Sequence, residues 1–260
     1  MNILEQLADH ARQRVAAAKA IRPMADLRRA ALAISKGDFP FERALSGDNL
    51  AFICECKKAS PSKGLIALDF PYLDIAKDYE AAGAEAISVL TEPKWFLGSD
   101  DYLREIAEQV SIPCLRKDFT VDDYMLYEAK LLGASAALLI CAILDEMWLK
   151  DYIQICDGLG LSALVEAHDE AEVEMALRAG ARIIGVNNRN LKDFTVDTGN
   201  SRRLRTIIPV NVLFVSESGV RDASDVQAAR AIGADAVLVG ETLMRAVNKR
   251  AKLAELRGTL

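Results

Sequence analysis

Ala82-Gly83-Ala84-Glu85-Ala86-Ile87-Ser88-Val89-Leu90-Thr91 carries the end of a helical pattern through a glycine into an apolar run. The glycine suits the left-handed residue that closes a helix, and a short run this apolar reads as a strand buried on both faces. The same small-Gly-Ala signal returns at Leu132-Gly133-Ala134, Ala179-Gly180-Ala181 and Ile232-Gly233-Ala234, at intervals of 50, 47 and 53 residues. Each is followed by an apolar run, at 86–91, 136–141, 183–188 and 236–240, and four more runs lie between them, at 51–57, 112–118, 161–166 and 210–216. Helical patterns at 74–82, 102–110, 123–132, 170–179 and 222–232 separate the strands. Eight such βα units with no long structureless insert predict an α/β fold, a (β/α)8 TIM barrel, in preference to an open doubly wound sheet.

Working outward, residues 2–35 place apolar positions at helical spacing on either side of Pro23, which predicts two amphipathic helices ahead of the first strand. Residues 37–49, rich in turn formers, read as a link. The expected organisation is one domain over 1–260, with 1–49 as an N-terminal helical extension. A formal charge of −6 with no basic patch argues against nucleic acid. The longest apolar run, at 136–144, is too short to span a bilayer. The five cysteines form no C-x-x-C pair and read as buried thiols of a cytoplasmic protein.

In a barrel of this kind the chemistry sits at the C-terminal ends of the strands. Nearly every end here is polar: Glu55 and Lys57, Thr91 and Glu92, Lys117 and Asp118, Cys141, Glu166, Asn187 and Arg189, Glu217 and Ser218, Gly240 and Glu241. Glu55 and Lys57 continue the face of Ile53, Lys117 that of Leu115 and Glu166 that of Leu164, so alternation sends them inward. Any one of these is accounted for by a rim salt bridge; so many together point to a catalytic cluster. Glycine-bearing turns at Ser216-Glu217-Ser218-Gly219-Val220 and Val239-Gly240-Glu241-Thr242, each before a helical pattern, match a phosphate cradle built from backbone N–H groups. There the Glu241 side chain must turn away from a dianion. Trp95, Phe96 and Phe119 suit a ligand that carries a ring, unless Trp95 and Phe96 only pack beneath the N-terminal helices. The two histidines, His10 and His168, offer no metal spacing, and no G-x-G-x-x-G follows a strand. Between Glu166 and His168, Glu166 is the expected base because it continues an inward face.

The motifs Glu55-Cys56-Lys57-Lys58-Ala59-Ser60-Pro61-Ser62-Lys63-Gly64, Leu90-Thr91-Glu92, Phe96-Leu97-Gly98-Ser99, Leu115-Arg116-Lys117-Asp118-Phe119, Leu164-Val165-Glu166-Ala167-His168, Gly185-Val186-Asn187-Asn188-Arg189-Asn190-Leu191, Ser216-Glu217-Ser218-Gly219 and Val239-Gly240-Glu241-Thr242-Leu243-Met244 together resemble the indole-3-glycerol phosphate synthase family. The likeness runs along the whole chain, including Arg22-Pro23-Met24-Ala25-Asp26-Leu27 of the extension, and departs at Cys56, where an aliphatic residue is usual, and at Leu97, where glycine is common. The resemblance implies a lyase of tryptophan biosynthesis that closes 1-(2-carboxyphenylamino)-1-deoxyribulose 5-phosphate to indole-3-glycerol phosphate, losing carbon dioxide and water. It implies catalytic roles for Glu55, Lys57, Lys117, Glu166, Asn187, Glu217 and Ser218, with Lys117 as general acid and Glu166 as base. Substrate contacts are implied for Ser60, Phe96, Phe119, Arg189, Gly219, Leu238, Gly240 and Glu241, with no metal and no cofactor. Residues 60–64 resemble a first loop that closes over ligand. The partner expected is a phosphorylated small molecule, alongside contact with other enzymes of the same pathway. The rival readings are another phosphosugar barrel, such as an aldolase with Lys117 as Schiff-base nucleophile or an aminoaldose isomerase, and a barrel that binds phosphometabolites without turnover.

Overall fold

The computed structural model describes residues 2–190 and 194–258. Met1, Thr259 and Leu260, included in the expected domain, and Leu191, which ends one motif, lie outside the described residues. Eight parallel strands close on themselves: β1 (Ala51–Cys56), β2 (Ala86–Leu90), β3 (Cys114–Lys117), β4 (Ala136–Ile140), β5 (Ser162–Ala167), β6 (Ile183–Asn187), β7 (Leu213–Glu217) and β8 (Ala236–Val239). Closure joins β8 to β1 with Leu238 opposite Ile53, while the other edge of β1 sets Glu55 opposite Ser88. The glycines of the repeated tripeptide, Gly83, Gly133, Gly180 and Gly233, all take positive φ, between 75° and 90°, at the ends of the helices that precede strands. That conformation costs glycine little and strains a residue with a β-carbon.

Alternation divides the strands between two apolar layers. Ala51, Ile53, Leu115, Leu138, Leu164, Ile183, Val215 and Leu238 fill the barrel interior. Phe52, Cys54, Cys56, Val89, Leu139, Val165 and Val237 face the surrounding helices. Each such aliphatic side chain contributes about 1.5–3 kcal/mol on leaving water. Glu55 therefore points inward with Ile53, as its period-two position predicts, and Cys56 outward.

The extension works at both ends of the barrel. Helix α1 (Ile3–Ile21) begins with a reciprocal capping box between Asn2 and Glu5, and Arg22-Pro23 separates it from α2 (Met24–Ala33). The side chains of Leu7 and Ala11 pack into the interior layer, and α1 is tied to the loops after β2 and β3 through His10–Glu92, Arg14–Asp118 and Lys19–Asp122. At the other end the link at 37–49 contains an unexpected helix, α3 (Pro40–Leu45). Its Phe41 and Leu45 are fully buried in the interior layer, and the Glu42 N–H donates to Ser162 Oγ at the first residue of β5, so α3 plugs the floor.

The expected strand at 210–216 starts late. Val212 N–H donates to the Pro209 carbonyl, which makes 209–212 a turn with Val210 out in solvent, and β7 begins at Leu213. Likewise β3 begins at Cys114 and not at 112, since Pro113 lacks the N–H a ladder needs. Outside the barrel run α4 (Tyr72–Ala81), α5 (Asp100–Gln109), α6 (Tyr124–Leu131), α7 (Glu146–Leu159), α8 (Glu170–Ala179), α9 (Gly199–Arg205), α10 (Ala223–Ala231), α11 (Glu241–Arg245) and α12 (Lys249–Arg257). Among the described residues no helix is long and apolar enough to cross a membrane.

Candidate active site

A cavity of about 570 Å³ opens at the C-terminal ends of the strands, and all the catalytic and substrate-contacting residues that the family resemblance implies line it. Strand register sets Lys117 beside Leu90, Glu166 between Ile140 and Gly185, and Asn187 beside Glu217. Lys117 Nζ donates to Glu166 Oε2 at 3.0 Å and to Glu217 Oε2 at 3.2 Å. Burial works against the ammonium, but Glu166, Glu217 and Glu55 outweigh it and raise the pKa above its ordinary value. Lys117 is therefore a cation at neutral pH.

The two carboxyls on Lys117 diverge. Burial pushes both up; for Glu166 this is overcome by Lys117, by His168 and by a hydrogen bond from Asn187, which hold it down at about 2. Glu217 lacks those added supports and lies near both Glu166 and Glu55, so burial prevails and its pKa rises to about 7. An ionised carboxylate thus stands across a lysine from one that holds its proton up to about pH 7. A second pair lies alongside, with Lys57 Nζ donating to Glu55 Oε1 at 2.5 Å and Ser88 Oγ to Glu55 Oε2 at 3.4 Å. Asn187 links the floor to the seventh loop, since its Oδ1 accepts from Ser218 Oγ at 2.9 Å and from the Arg189 N–H at 3.0 Å.

Backbone conformation shapes the rim. Ser218 and Gly219 take φ of 64° and 98° in succession, which curls the seventh loop into a concavity of the kind that presents N–H groups to an anion. Glu241 pairs with Arg245 at 3.0 Å, with Lys63 of the first loop 3.8 Å away. The first loop folds as a small hairpin in which Ser60 pairs with Gly64. Phe96 and Phe119 meet along one wall with ring centroids 6.0 Å apart and planes tilted by 39°, whereas Trp95 sets its ring edge to His10 of α1. The alternative reading of the aromatics thus holds for Trp95 and not for Phe96.

Several strand-end polar groups serve the scaffold instead. Glu92 is fully buried and accepts from the backbone N–H groups of Lys94, Trp95 and Phe96, folding the second loop around its carboxylate. Asp118 points away from Lys117 to a bidentate pairing with Arg14, and Cys141 Sγ meets the Glu172 carbonyl. Sequence reasoning missed Leu4 and Leu7 of α1, Phe194 and Val196 of the sixth loop, and Arg221 and Arg245, which also line the cavity. The apolar face of α1 was visible, but not which end of the barrel it would cover.

Among the described residues no group of three or more His, Cys, Asp or Glu is arranged to hold a metal ion. A family model described as indole-3-glycerol phosphate synthase matches residues 4–256. The chain belongs to the indole-3-glycerol phosphate synthase family. An indole-3-glycerol phosphate synthase from Ruminiclostridium cellulolyticum is 64% identical over 226 residues, 87% of each chain, and one from Endomicrobium trichonymphae is 51% identical over 256 residues, 98% of this chain and 99% of that one. Among solved structures, 3-hexulose-6-phosphate synthase from Salmonella typhimurium superposes with a TM-score of 0.62 at 15% identity, covering 81% of this chain and 98% of the other, a likeness of fold. Both departures from the indole-3-glycerol phosphate synthase pattern have a structural account. Cys56 is buried against the helix layer, where a small apolar side chain suffices, and Leu97 has φ of 51°, a left-handed conformation that glycine adopts at less cost.

Proposed function

We propose that this chain closes 1-(2-carboxyphenylamino)-1-deoxyribulose 5-phosphate to indole-3-glycerol phosphate, with Lys117 as general acid and Glu166 as base. The observation that carries the reading is the Lys117 ammonium held between Glu166 and Glu217 beneath a wall of Phe96 and Phe119. When the ring carbon bearing the carboxylate attacks the ribulose ketone, charge grows on the ketone oxygen, and Lys117 supplies its proton as the alkoxide forms. Loss of carbon dioxide restores the benzene ring. The hydroxyl then leaves as water, with the Glu55–Lys57 pair as its proton source, and Glu166 takes the proton whose removal completes the indole.

Asn187 and Arg189 hold the substrate, Ser60 and Leu238 contact it, and Ser218, Gly219, Gly240 and Glu241 take the phosphate through their backbone. Glu217, which holds its proton up to about pH 7, reduces the negative charge that meets an anionic substrate. We read 1–260 as one domain whose extension, 1–49, supplies part of the cavity wall, and the buried unpaired cysteines suit a reducing cytoplasm. Contact with other enzymes of tryptophan biosynthesis belongs to the same reading.

Purified protein mixed with the carboxyphenylamino substrate should develop indole fluorescence and release carbon dioxide in equal amounts. Borohydride trapping of a carbonyl substrate on Lys117, without indole formation, would favour the aldolase instead.

A further inference from the structure

His168 stands behind Glu166, outside the cavity wall, and none of the steps above uses it. Its Nε2 is buried without a hydrogen-bond partner and lies 3.4 Å from Glu166 Oε1, the oxygen that Lys117 does not hold. Its Nδ1 meets Glu172 Oε2 at 3.1 Å, and the same oxygen accepts the His168 backbone N–H at 2.7 Å. Glu172 is fixed in turn, since its own N–H donates to Asp169 Oδ1 at the cap of α8. The imidazole is thus wedged between two carboxylates, one in the floor of the site and one on a helix outside the barrel.

That placement answers a problem in the chemistry. Lys117 is a cation only until it gives its proton to the ketone oxygen; afterwards it is neutral, and Glu166 loses the positive charge on Oε2 just before it must act as a carboxylate. An unsupported buried carboxylate takes up a proton instead. We infer that His168 is a positioning residue which, as an imidazolium secured by Glu172, keeps Glu166 ionised and aimed through the interval in which Lys117 is discharged. The inference rests on the reading of Lys117 as acid and Glu166 as base.

The charged surroundings agree. Glu166 is faced by Lys117 from β3 and by His168 beyond its own strand, with Glu217 from β7 on the far side of Lys117 and the Glu55–Lys57 pair from β1 beside it. His168 is faced by Glu172 from α8 and, farther off, Glu217; Asn200 of α9 contributes only an amide donating to the His168 carbonyl. Burial lowers the pKa of His168, but the bond to Glu172 and the charge of Glu166 overcome it, so the ring holds its proton more firmly than an ordinary histidine. A contact of 3.4 Å is long for a hydrogen bond, and such contacts in ligand-free sites tighten when the reacting complex forms.

The test separates the two halves of the reaction. Single-turnover release of carbon dioxide and formation of indole are followed across pH for the parent, His168→Gln and Glu172→Gln, with Glu166→Gln as reference. In His168→Gln, carbon dioxide release should stay within about twofold of the parent while indole formation slows about tenfold or more on the acid side of the profile, its acid limb moved up by roughly one unit, and recovers as pH rises. Glu172→Gln, which leaves the ring in place, should shift the same limb in the same direction by less. A general packing defect would slow both products and leave the limb where it was, and that result overturns the inference, as does indole formation at the parent rate and pH dependence. Vigorous indole formation by Glu166→Gln would instead remove the underlying assignment of the base.

Discussion

Gly185 leaves open the space that the Glu217 carboxyl occupies. A β-carbon at 185 would overlap Glu217 Oε1 and lie 3.1 Å from its Cδ, with Leu164 Cδ1 at 3.2 Å on the other side. Glu217 can therefore reach Lys117 only because β6 carries no side chain at this point. Gly185→Ala should displace Glu217 and lower turnover by about 10-fold to 100-fold, with the circular dichroism spectrum retained. Unchanged turnover in the folded variant would mean that the position of Glu217 does not matter.

The same carboxyl predicts a pH dependence of stability. Folded, Glu217 keeps its proton up to about pH 7, whereas the unfolded chain releases it near the ordinary value of 4.5. Between these values the native state binds more protons, so this group's contribution to stability is full below about 4.5 and lost as pH rises through 7. Glu166, held at about 2, acts oppositely: its contribution is present above 4.5 and lost as pH falls through 2. Melting temperatures from about pH 5 to pH 7.5 should fall more steeply for the parent than for Glu217→Gln. Parallel curves would place the Glu217 ionisation at an ordinary value.

Arg14 carries the latch between the extension and the barrel. Asp118, almost wholly buried, accepts both guanidinium nitrogens, and Thr91 Oγ1 and the Phe119 N–H complete its shell. Removing the guanidinium leaves a buried anion with its hydrogen-bond partners and only Arg116 as counter-charge, at a cost of up to about 3 kcal/mol. Arg14→Ala should lower the melting temperature, and Arg14→Met with Asp118→Asn should recover part of the loss. A single variant as stable as the parent would show that the remaining donors suffice.

Phosphate binding is tested at Gly219, where φ is 98° and an added β-carbon would stand 2.8 Å from Thr198 Cγ2. Gly219→Ala should distort the seventh loop and weaken competitive inhibition by inorganic phosphate about tenfold or more, together with substrate binding. Gly83→Ala, at a helix end with open space around it, should cost stability alone, by about 1 kcal/mol. Equal phosphate inhibition in Gly219→Ala and the parent would move the anion site elsewhere.

How much of this is legible without coordinates follows from which interactions are local. The left-handed glycines of the repeat and the apolar runs after them are short-range signals, and they suffice for the barrel. Inward alternation likewise puts Glu55, Lys117 and Glu166 at the mouth, because β-strand geometry leaves them no other face. Val210 misled because β-propensity carries no account of the turn that Pro209 imposes. The plug at Pro40–Leu45 lay hidden among turn residues, since what holds six residues helical is the burial of Phe41 and Leu45 in a floor formed by distant strands. Asp118 and Glu92 looked like site residues on position alone, and only tertiary partners, Arg14 in one case and a loop's own N–H groups in the other, direct them elsewhere. Gly185 is the plainest instance: its lack of a side chain acquires a meaning only when Glu217 comes to rest against it.

The central claim is a division of labour between Lys117 and Glu166, and one measurement addresses it directly. Rapid-quench single turnovers with substrate labelled in its carboxylate report carbon dioxide release and indole formation separately. Lys117→Met should slow carbon dioxide release by about 100-fold or more, because ring closure itself stalls, whereas Glu166→Gln should release carbon dioxide close to the parent rate and accumulate a decarboxylated intermediate that turns only slowly to indole. If Glu166→Gln blocks carbon dioxide release while Lys117→Met allows it, the two roles are reversed and the account is contradicted.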